Sequence, residues 1–406
     1  MKTTVAKVAP WIVAALLMVF AAWLFNSHPV ELSIQSLANL AFSRNTSFVA
    51  ALQSYPHVWP PLYPSVLWGL HRLGISAHTA NLALFYLTLL WLGLFARRYI
   101  RGVHWIYPVA LYVVMHPNYV NLQQVVSEAL LVPLAAIALS VSLRYCQVAT
   151  PRGLMAVSLV SSVSCLTRYM ALFWIFPVLG GTIWLKSEPR QRIRFLAAFS
   201  AISLVPVGLV AARSYAATGY LSGMDRIGKR LLVGPAAAWT EMGAFDHLEV
   251  AVRAFMTDIF SASQHASHAA LTMHSFTGLS LLDKAILGIA AGLLLLPAGR
   301  VVMLLRAEGT PPWKRRKIMD PLSVLSALFG VGYLVLLLAI WSVTNNDPVY
   351  TRFLYPSYLF LMLWGFVTYS WVQEKDGSLA ARMPFQALYL LMLLVHLRRD
   401  FSWAGL

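Results

Sequence analysis

The chain has 406 residues, of which 59% are hydrophobic and 11% are charged, and its formal net charge is +16. A typical soluble domain carries about 25% charged residues, so this composition excludes an ordinary soluble fold and indicates a multi-pass membrane protein. Most Lys and Arg residues fall in short segments between apolar runs. The rule that inner loops are positively charged therefore explains the excess charge better than nucleic-acid binding does.

The N-terminal segment carries Lys2 and Lys7 and leads into an apolar run at about 9–26. This pattern resembles a signal peptide, but no convincing small-residue cleavage site follows it. We predict an uncleaved first membrane span that starts on the inner side.

Residues 27–78 are predicted to form a first outer loop with two surface helices. Glu31 precedes an amphipathic run that ends near Phe42. A second apolar run from Pro61 to Gly74 is too short to span a bilayer, and Pro and Gly stand where a helix begins and ends. Between the two runs, the stretch from His57 to Pro64 is rich in aromatic residues and proline, which favour the membrane interface.

The runs after this loop that are long enough to cross a bilayer give about ten or eleven crossings in all, because the last run is ambiguous between a span and a surface helix. They lie at about 79–98, 103–119, 125–145, 153–167, 169–186, 194–212, 282–304, 321–344, 355–373 and 384–397.

We therefore predict an all-α polytopic protein with a single integral membrane domain over 1–406 and a second large outer loop at 213–281. Basic residues mark the inner ends of the spans and most acidic residues fall on the outer side. The predicted location is a bacterial inner (plasma) membrane, with the functional site facing outward. Cys146 and Cys165 fall near opposite faces of the membrane, which excludes a disulfide between them.

The residues suited to chemistry gather at the predicted outer face. Glu128 stands at the outer start of a span, where a carboxylate needs a protein interior or a wet cavity around it. Arg168 lies between two apolar runs, and Asp347 and Arg352 lie between two strong spans. Plainer interpretations stay open: Glu31 as a helix-dipole partner, the stretch around His57 as an interfacial anchor, Arg168 as a snorkelling turn residue, and an Asp347–Arg352 ion pair.

Carboxylates suit a general base and arginines suit a phosphate group, so together they fit transfer of a group from a lipid phosphate to a hydroxyl. At this point the chain resembles the GT-C superfamily of membrane glycosyltransferases, which use polyprenyl-phosphate sugars as donors and include aminoarabinose transferases and protein O-mannosyltransferase-like enzymes. Six segments carry the resemblance, in order: the long first outer loop, Trp59–Pro64, Ser127-Glu128, Thr167–Tyr169, Arg213–Gly223 and Arg352–Pro356.

The resemblance implies a GT-C-like bundle of about ten or eleven transmembrane helices, and it implies roles for the site residues. Glu31 would be the general base for an inverting single displacement, and Glu128 would orient sugar or acceptor or be the base itself. Arg168 and Arg352 would hold the carrier phosphate, and His57 would add a hydrogen bond. The remaining substrate-binding candidates are Pro61, Tyr63, Tyr169, Arg213, Asp347 and Tyr355.

One departure from the superfamily pattern concerns the base. The family usually places an Asp just after the first span, whereas this loop contains no Asp and Glu31 is its only carboxylate. The expected partners are a polyprenyl-phosphate sugar, a glycan, lipid or protein acceptor, and membrane lipids. A divalent metal is compatible with this superfamily, with Asp347 and the acids of 225–258 as ligands, although no spacing demands one. The alternatives are a lipid or glycolipid transporter or flippase, and a catalytically inactive GT-C-like assembly subunit.

Overall fold

The computed structural model describes residues 2–27, 32, 34–55, 60–100, 102–115, 124–148, 150–168, 171, 189–218, 281, 284–286, 288–290, 292–293, 321–335, 351–376 and 378–403. All regular secondary structure in these residues is helical. The helices that we number are α1 (Lys2–Ser27), α2 (Ile34–Arg44), α3 (Phe48–Ser54), α4 (Leu62–Arg72), α5 (Ala77–Tyr99), α6 (Ile106–Val114), α7 (Glu128–Gln147), α8 (Pro151–Thr167), α9 (Pro189–Thr218), α10 (Pro321–Ala327), α11 (Thr351–Lys375) and α12 (Leu379–Trp403).

Within the described residues, four helices are long and apolar enough to cross a membrane. They are α5, α7, the Arg192–Arg213 part of α9 and the Leu379–Arg399 part of α12. The last of these covers the final apolar run, whose nature the sequence leaves ambiguous. An all-helical protein with membrane-spanning candidates is thus confirmed for this part of the chain, while the number of ten or eleven crossings stays a prediction.

The boundaries of the spans follow from local sequence. Ser76 caps α5 by accepting a hydrogen bond from the backbone N–H of Thr79 at 3.1 Å. Thr150 caps α8 in the same way, accepting from the N–H of Gly153 at 3.1 Å, and Pro151 occupies the first helical turn. Such caps satisfy N–H groups that the helix itself leaves without partners.

Most of these helices pack against their neighbours along the chain. Helix α7 contacts α5 and α8, and α8 contacts α9, while α6 lies against α1, α5 and α12 and α11 lies against α10 and α12. Only a short connection joins α7 to α8, so the two run antiparallel. The start of α7 and the end of α8 therefore lie at the same level of the bundle.

Helices α2, α3 and α4 form a compact unit, which we call the α2–α4 platform. The sequence predicts two of these helices, and the structure adds α3 between them. Phe42 packs edge-on against Tyr55, with ring centroids 5.3 Å apart, and Phe48 packs against Trp68 at 5.2 Å. The indole N–H of Trp68 donates to the carbonyl of Asn45 at 2.9 Å, which fastens α4 to the turn after α2.

Helix α2 is amphipathic, but it buries polar side chains where a helix of a soluble protein would bury apolar ones. Its polar side chains Gln35, Ser36 and Asn39 are buried, whereas Leu37 is 55% exposed. A soluble helix would bury the leucine and expose the polar groups. The buried face of α2 therefore consists mostly of polar groups, together with Phe42, while Leu37 is exposed on the opposite face.

A π-helical turn (Leu328–Gly332) continues α10 and brings it unusually close to α11. A Cβ atom at Gly330 would lie 2.8 Å from Leu361 Cδ2 and 3.1 Å from the backbone nitrogen of Leu361. Only glycine allows the two backbones to approach this closely. Turns of the π type are frequent at functional sites, which makes the α10–α11 contact a place to look for one.

Candidate functional site

The site is built around the turn that leads into α7. Val125 has a positive φ of 51° and is fully buried. This backbone region is disfavoured for a β-branched residue and costs on the order of 1–3 kcal/mol unless its surroundings hold it. The turn places Ser127 at the cap of the helix and Glu128 in its first turn.

Glu128 is fully buried and paired with Arg168, the residue that ends α8. Arg168 Nη1 lies 2.6 Å from Glu128 Oε1, and the side chain of Arg168 is only 10% exposed. The hydroxyl of Ser127 accepts from Arg168 Nη1 at 3.0 Å and donates to Glu128 Oε2 at 3.3 Å. The three side chains thus form one unit: an ion pair neutralises the buried charge of Glu128, and Ser127 is hydrogen-bonded to both partners. Glu128 Oε1 itself has no hydrogen-bond donor among the described residues.

The polar face of α2 holds this turn from the side of the α2–α4 platform. Asn39 Nδ2 donates to the carbonyl of Val125 at 2.8 Å, and Gln35 Nε2 donates to Ser127 Oγ at 3.4 Å. Tyr55 in turn donates to Asn39 Oδ1 at 2.7 Å. The platform and the buried ion pair are therefore connected by direct hydrogen bonds.

Two buried tyrosines lie near the pair. Tyr63 of α4 is fully buried and donates to Asn81 Oδ1 at 2.8 Å. Burial raises the pKa of Tyr63, so its hydroxyl stays protonated. Tyr333, which directly follows the π-helical turn, is 1% exposed and lies within range of the charges of both Arg168 and Glu128.

A separate apolar cavity of about 600 Å³ is lined by Leu334, the residue that follows Tyr333 in the chain. It runs between α6, α10, α11 and α12, and aromatic rings form much of its wall. The volume falls in the range of about 300–1,000 Å³ that is typical of ligand sites. Residues that line it include Tyr107, Met115, Tyr358, Leu361, Phe366, Tyr389 and Met392.

The predicted site residues fall into three groups. Glu128 and Arg168, 40 positions apart in the chain, are brought together. Pro61 and Tyr63 lie at the start of α4, while Arg213 is exposed near the end of α9. Arg352 and Tyr355 belong to the first turns of α11, with side chains outside the described part, and four further residues lie wholly outside the described residues: Glu31, His57, Tyr169 and Asp347.

Sequence reasoning missed the contributions of Gln35, Asn39 and Tyr333. The first two stand four residues apart on α2, so they share one helix face, and that spacing was the available signal. Their neighbours Ser36 and Ser43 are buried as well, which identifies the polar face as the inward one. Nothing in the local sequence of Tyr333 distinguishes it from a lipid-facing aromatic residue.

A metal site is not formed by the described residues, among which no group of three or more His, Cys, Asp or Glu side chains lies close enough to hold an ion. Asp347 and the acids of 225–258 lie outside that part of the chain. In comparisons with known proteins, no family model matches the chain, and neither a curated protein nor a solved structure gives a match.

Proposed function

We propose that this protein is a membrane glycosyltransferase of the GT-C type that moves a sugar from a polyprenyl-phosphate donor to a hydroxyl acceptor at the outer membrane face. The observation that carries the proposal is the buried Glu128–Arg168 pair. The apolar cavity between α6, α11 and α12 supports it, because it offers a space for a hydrocarbon chain in the same helix bundle. The sequence resemblance supplies the reaction class.

In the proposed reaction, the acceptor hydroxyl attacks the anomeric carbon of the sugar while the bond from that carbon to the carrier phosphate oxygen breaks. Glu31 takes the proton of the hydroxyl, and the polyprenyl phosphate leaves as an anion. A leaving group of this kind needs no strong general acid. A single displacement inverts the anomeric centre.

The contacts of Glu128 favour a positioning role over that of the base. Its carboxylate charge is already compensated by the ion pair between Oε1 and Arg168, and its Oε2 accepts a hydrogen bond from Ser127. A base needs an oxygen lone pair directed at the proton that it removes. We therefore assign proton removal to Glu31 and the orientation of Arg168 to Glu128.

The remaining predicted residues complete the proposal. Arg168 and Arg352 contribute positive charge toward the carrier phosphate, and His57 donates a hydrogen bond. Asp347 and Arg213 contact the sugar or the acceptor. Pro61, Tyr63, Tyr169 and Tyr355 shape the walls of the site.

The test is a transfer assay on purified protein reconstituted in lipid, supplied with a panel of polyprenyl-phosphate sugars and membrane acceptors. We expect the parent protein to release carrier phosphate and Glu31→Gln to lose at least about 100-fold in rate, because general base catalysis contributes about 10²–10⁴-fold. Glu374→Gln is the matched control, because it makes the same change on an exposed residue near the other end of α11.

Three outcomes separate the alternatives. Equal activity of the parent and Glu31→Gln would move the base to another acid, and Glu128→Gln and Asp347→Asn would be the next variants. Movement of labelled lipid across the bilayer without phosphate release would replace the proposal with a flippase. Absence of both activities would favour an inactive assembly subunit.

A further inference from the structure

One face of α12 changes from apolar to ionisable along its length. Leu388 and Met392 line the apolar cavity. His396 follows four residues later and Arg399 three residues after that, so all four side chains lie on the same helix face. His396 is fully buried and Arg399 is 1% exposed, which shows that this face stays directed into the protein beyond the cavity.

Two buried ionisable side chains on a span require an explanation. Ionisable residues within membrane helices are costly and mark functional sites by default. Neither ring nitrogen of His396 has a hydrogen-bond partner among the described residues. Buried polar groups in proteins are nearly always hydrogen-bonded, so a ligand at this position would satisfy a group that the described residues leave unsatisfied.

The position of these residues relative to the proposed active site follows from the packing of α12 against α1. Phe401, one turn beyond His396, lies 6.1 Å from Phe20 and 6.4 Å from Trp23 between ring centroids. Helix α1 ends at Ser27, shortly before Glu31. His396 and Arg399 therefore lie at the end of the bundle from which the loop with the proposed base departs.

The cavity and the ionisable end are close enough for one molecule. With a rise of roughly 1.5 Å per residue, Arg399 lies about 10 Å along the helix axis from Met392 at the cavity wall. A guanidinium and an imidazole next to an apolar cavity are complementary to a phosphate group on a single hydrocarbon chain.

We propose that His396 and Arg399 bind the phosphate of a single-chain isoprenoid phosphate whose hydrocarbon tail occupies the cavity between α6, α11 and α12. The inference rests on the proposed function for the identity of the lipid. It adds a phosphate site on α12 that the sequence analysis did not contain. Arg399 provides the charge-assisted hydrogen bonds, and His396 donates a hydrogen bond from one ring nitrogen.

The first experiment measures binding and needs no turnover. The full-length protein in lipid nanodiscs is titrated with a fluorescently labelled polyprenyl monophosphate, and Kd is obtained from fluorescence anisotropy. We expect Arg399→Gln and His396→Phe each to raise Kd about tenfold, the loss expected when a charge-assisted hydrogen bond is removed. Arg398→Gln is the matched control, because it removes the same charge from an exposed neighbour and should leave Kd unchanged.

A second variant tests the cavity and guards against misfolding. Met392→Trp fills the cavity without touching the charged residues, and it should raise Kd for the same probe by a similar factor. Each variant is first checked by size-exclusion chromatography and thermal unfolding. Equal effects of Arg398→Gln and Arg399→Gln, or no effect of Met392→Trp in a folded protein, would overturn the proposal.

Competition identifies the occupant. Unlabelled polyprenyl monophosphate should displace the probe, whereas the uncharged polyprenol and a two-chain phosphatidic acid should do so at least about tenfold less well. Equal displacement by phosphatidic acid would show an ordinary phospholipid site and would contradict the assignment.

The same binding data separate this inference from the proposed function. Tight binding that depends on Arg399, without any sugar transfer in the reconstituted assay, would support the phosphate site and contradict the glycosyltransferase activity. Sugar transfer together with unchanged lipid binding in Arg399→Gln and His396→Phe would support the glycosyltransferase activity and contradict the phosphate site on α12.

Discussion

Glu128 and Arg168 stabilise the protein as a pair rather than as individual residues. Both are buried, so removing one charge leaves the other without compensation. We expect Glu128→Gln and Arg168→Gln each to lower the free energy of unfolding by about 3–5 kcal/mol. The double variant should cost less than the sum of the two, with a coupling of about 1–3 kcal/mol, measured by thermal or denaturant unfolding in detergent.

Strict additivity of the two substitutions would show that the charges do not interact. Arg213→Gln is a control for the general effect of removing an arginine, because Arg213 is exposed on α9. Its effect on unfolding should stay within about 0.5 kcal/mol, as for most surface substitutions.

Val125 offers a second test at the residue scale. Glycine adopts a positive φ without strain. Val125→Gly therefore loses side-chain packing, but relief of backbone strain returns about 1–3 kcal/mol of stability. Val126 is also fully buried, and among the described non-glycine residues Val125 is the one with a positive φ. We therefore expect Val126→Gly to destabilise the protein by about 1–3 kcal/mol more than Val125→Gly in matched unfolding measurements.

The proximity of Glu128 and Arg168 could be predicted from the sequence, but the contacts that hold the turn beside them could not. Hydropathy places Glu128 and Arg168 at the same end of two successive antiparallel spans, which makes an encounter between them expected. The strain at Val125 depends on a carbonyl that Asn39 holds from a distant helix. Hydropathy and charge carry no information on such a contact.

At the scale of elements, the approach of α10 to α11 depends on Gly330. A methyl group there would meet Leu361 at 2.8 Å, so Gly330→Ala must push the helices apart. Overpacking of this kind costs about 1–3 kcal/mol and exceeds the gain of roughly 1 kcal/mol in helix propensity. We expect a lower unfolding temperature, together with weaker binding of lipid in the cavity, which Leu361 also lines.

Gly365→Ala on α11 is the control for this substitution. No atom lies within 4 Å of the position that its Cβ would take, so only the higher helix propensity of alanine should change the stability. A stabilisation of up to about 1 kcal/mol is expected there. A fall in stability equal to that of Gly330→Ala would show that close helix contact is not the cause.

For helix α2, the sequence pattern predicts the helix but not which of its faces is buried. Its helical period was correctly predicted from the sequence, because apolar residues recur along it at helical spacing. The sequence alone does not tell which face is inward, since the membrane reverses the usual rule for Leu37 and Asn39. The answer came from Val125 and Ser127, which accept hydrogen bonds from the polar face.

At the scale of the whole molecule, the arrangement predicts the sides on which the two ends lie. If α12 is the last of eleven predicted crossings, the pattern of Lys and Arg predicts an N-terminus on the inner side and a C-terminus on the outer side. Reporter fusions active only on one side of the membrane should show opposite locations for the two termini. A truncation before α12, at Ser378, should move a C-terminal reporter to the inner side.

Reporters on the same side in the full chain would mean that α12 does not span or that another predicted crossing is absent. The chain-wide pattern of Lys and Arg predicts an orientation, which the reporter fusions test. It cannot determine the number of helices, because segments such as 103–119 contain breaks: the structure has a 3-10 turn at Gly102–Trp105 before α6.

The hydrogen bond from Asn39 to Val125 has a thermodynamic consequence for the proposed active site. Breaking it loses about 1 kcal/mol of hydrogen-bond energy, while relaxation of the Val125 backbone returns about 1–3 kcal/mol. The hydrogen bond alone therefore does not outweigh the strain, and the packing of the fully buried Val125 side chain must also hold the turn. Side-chain packing and the hydrogen bond to α2 thus act together to keep Ser127 and Glu128 in place beside Arg168.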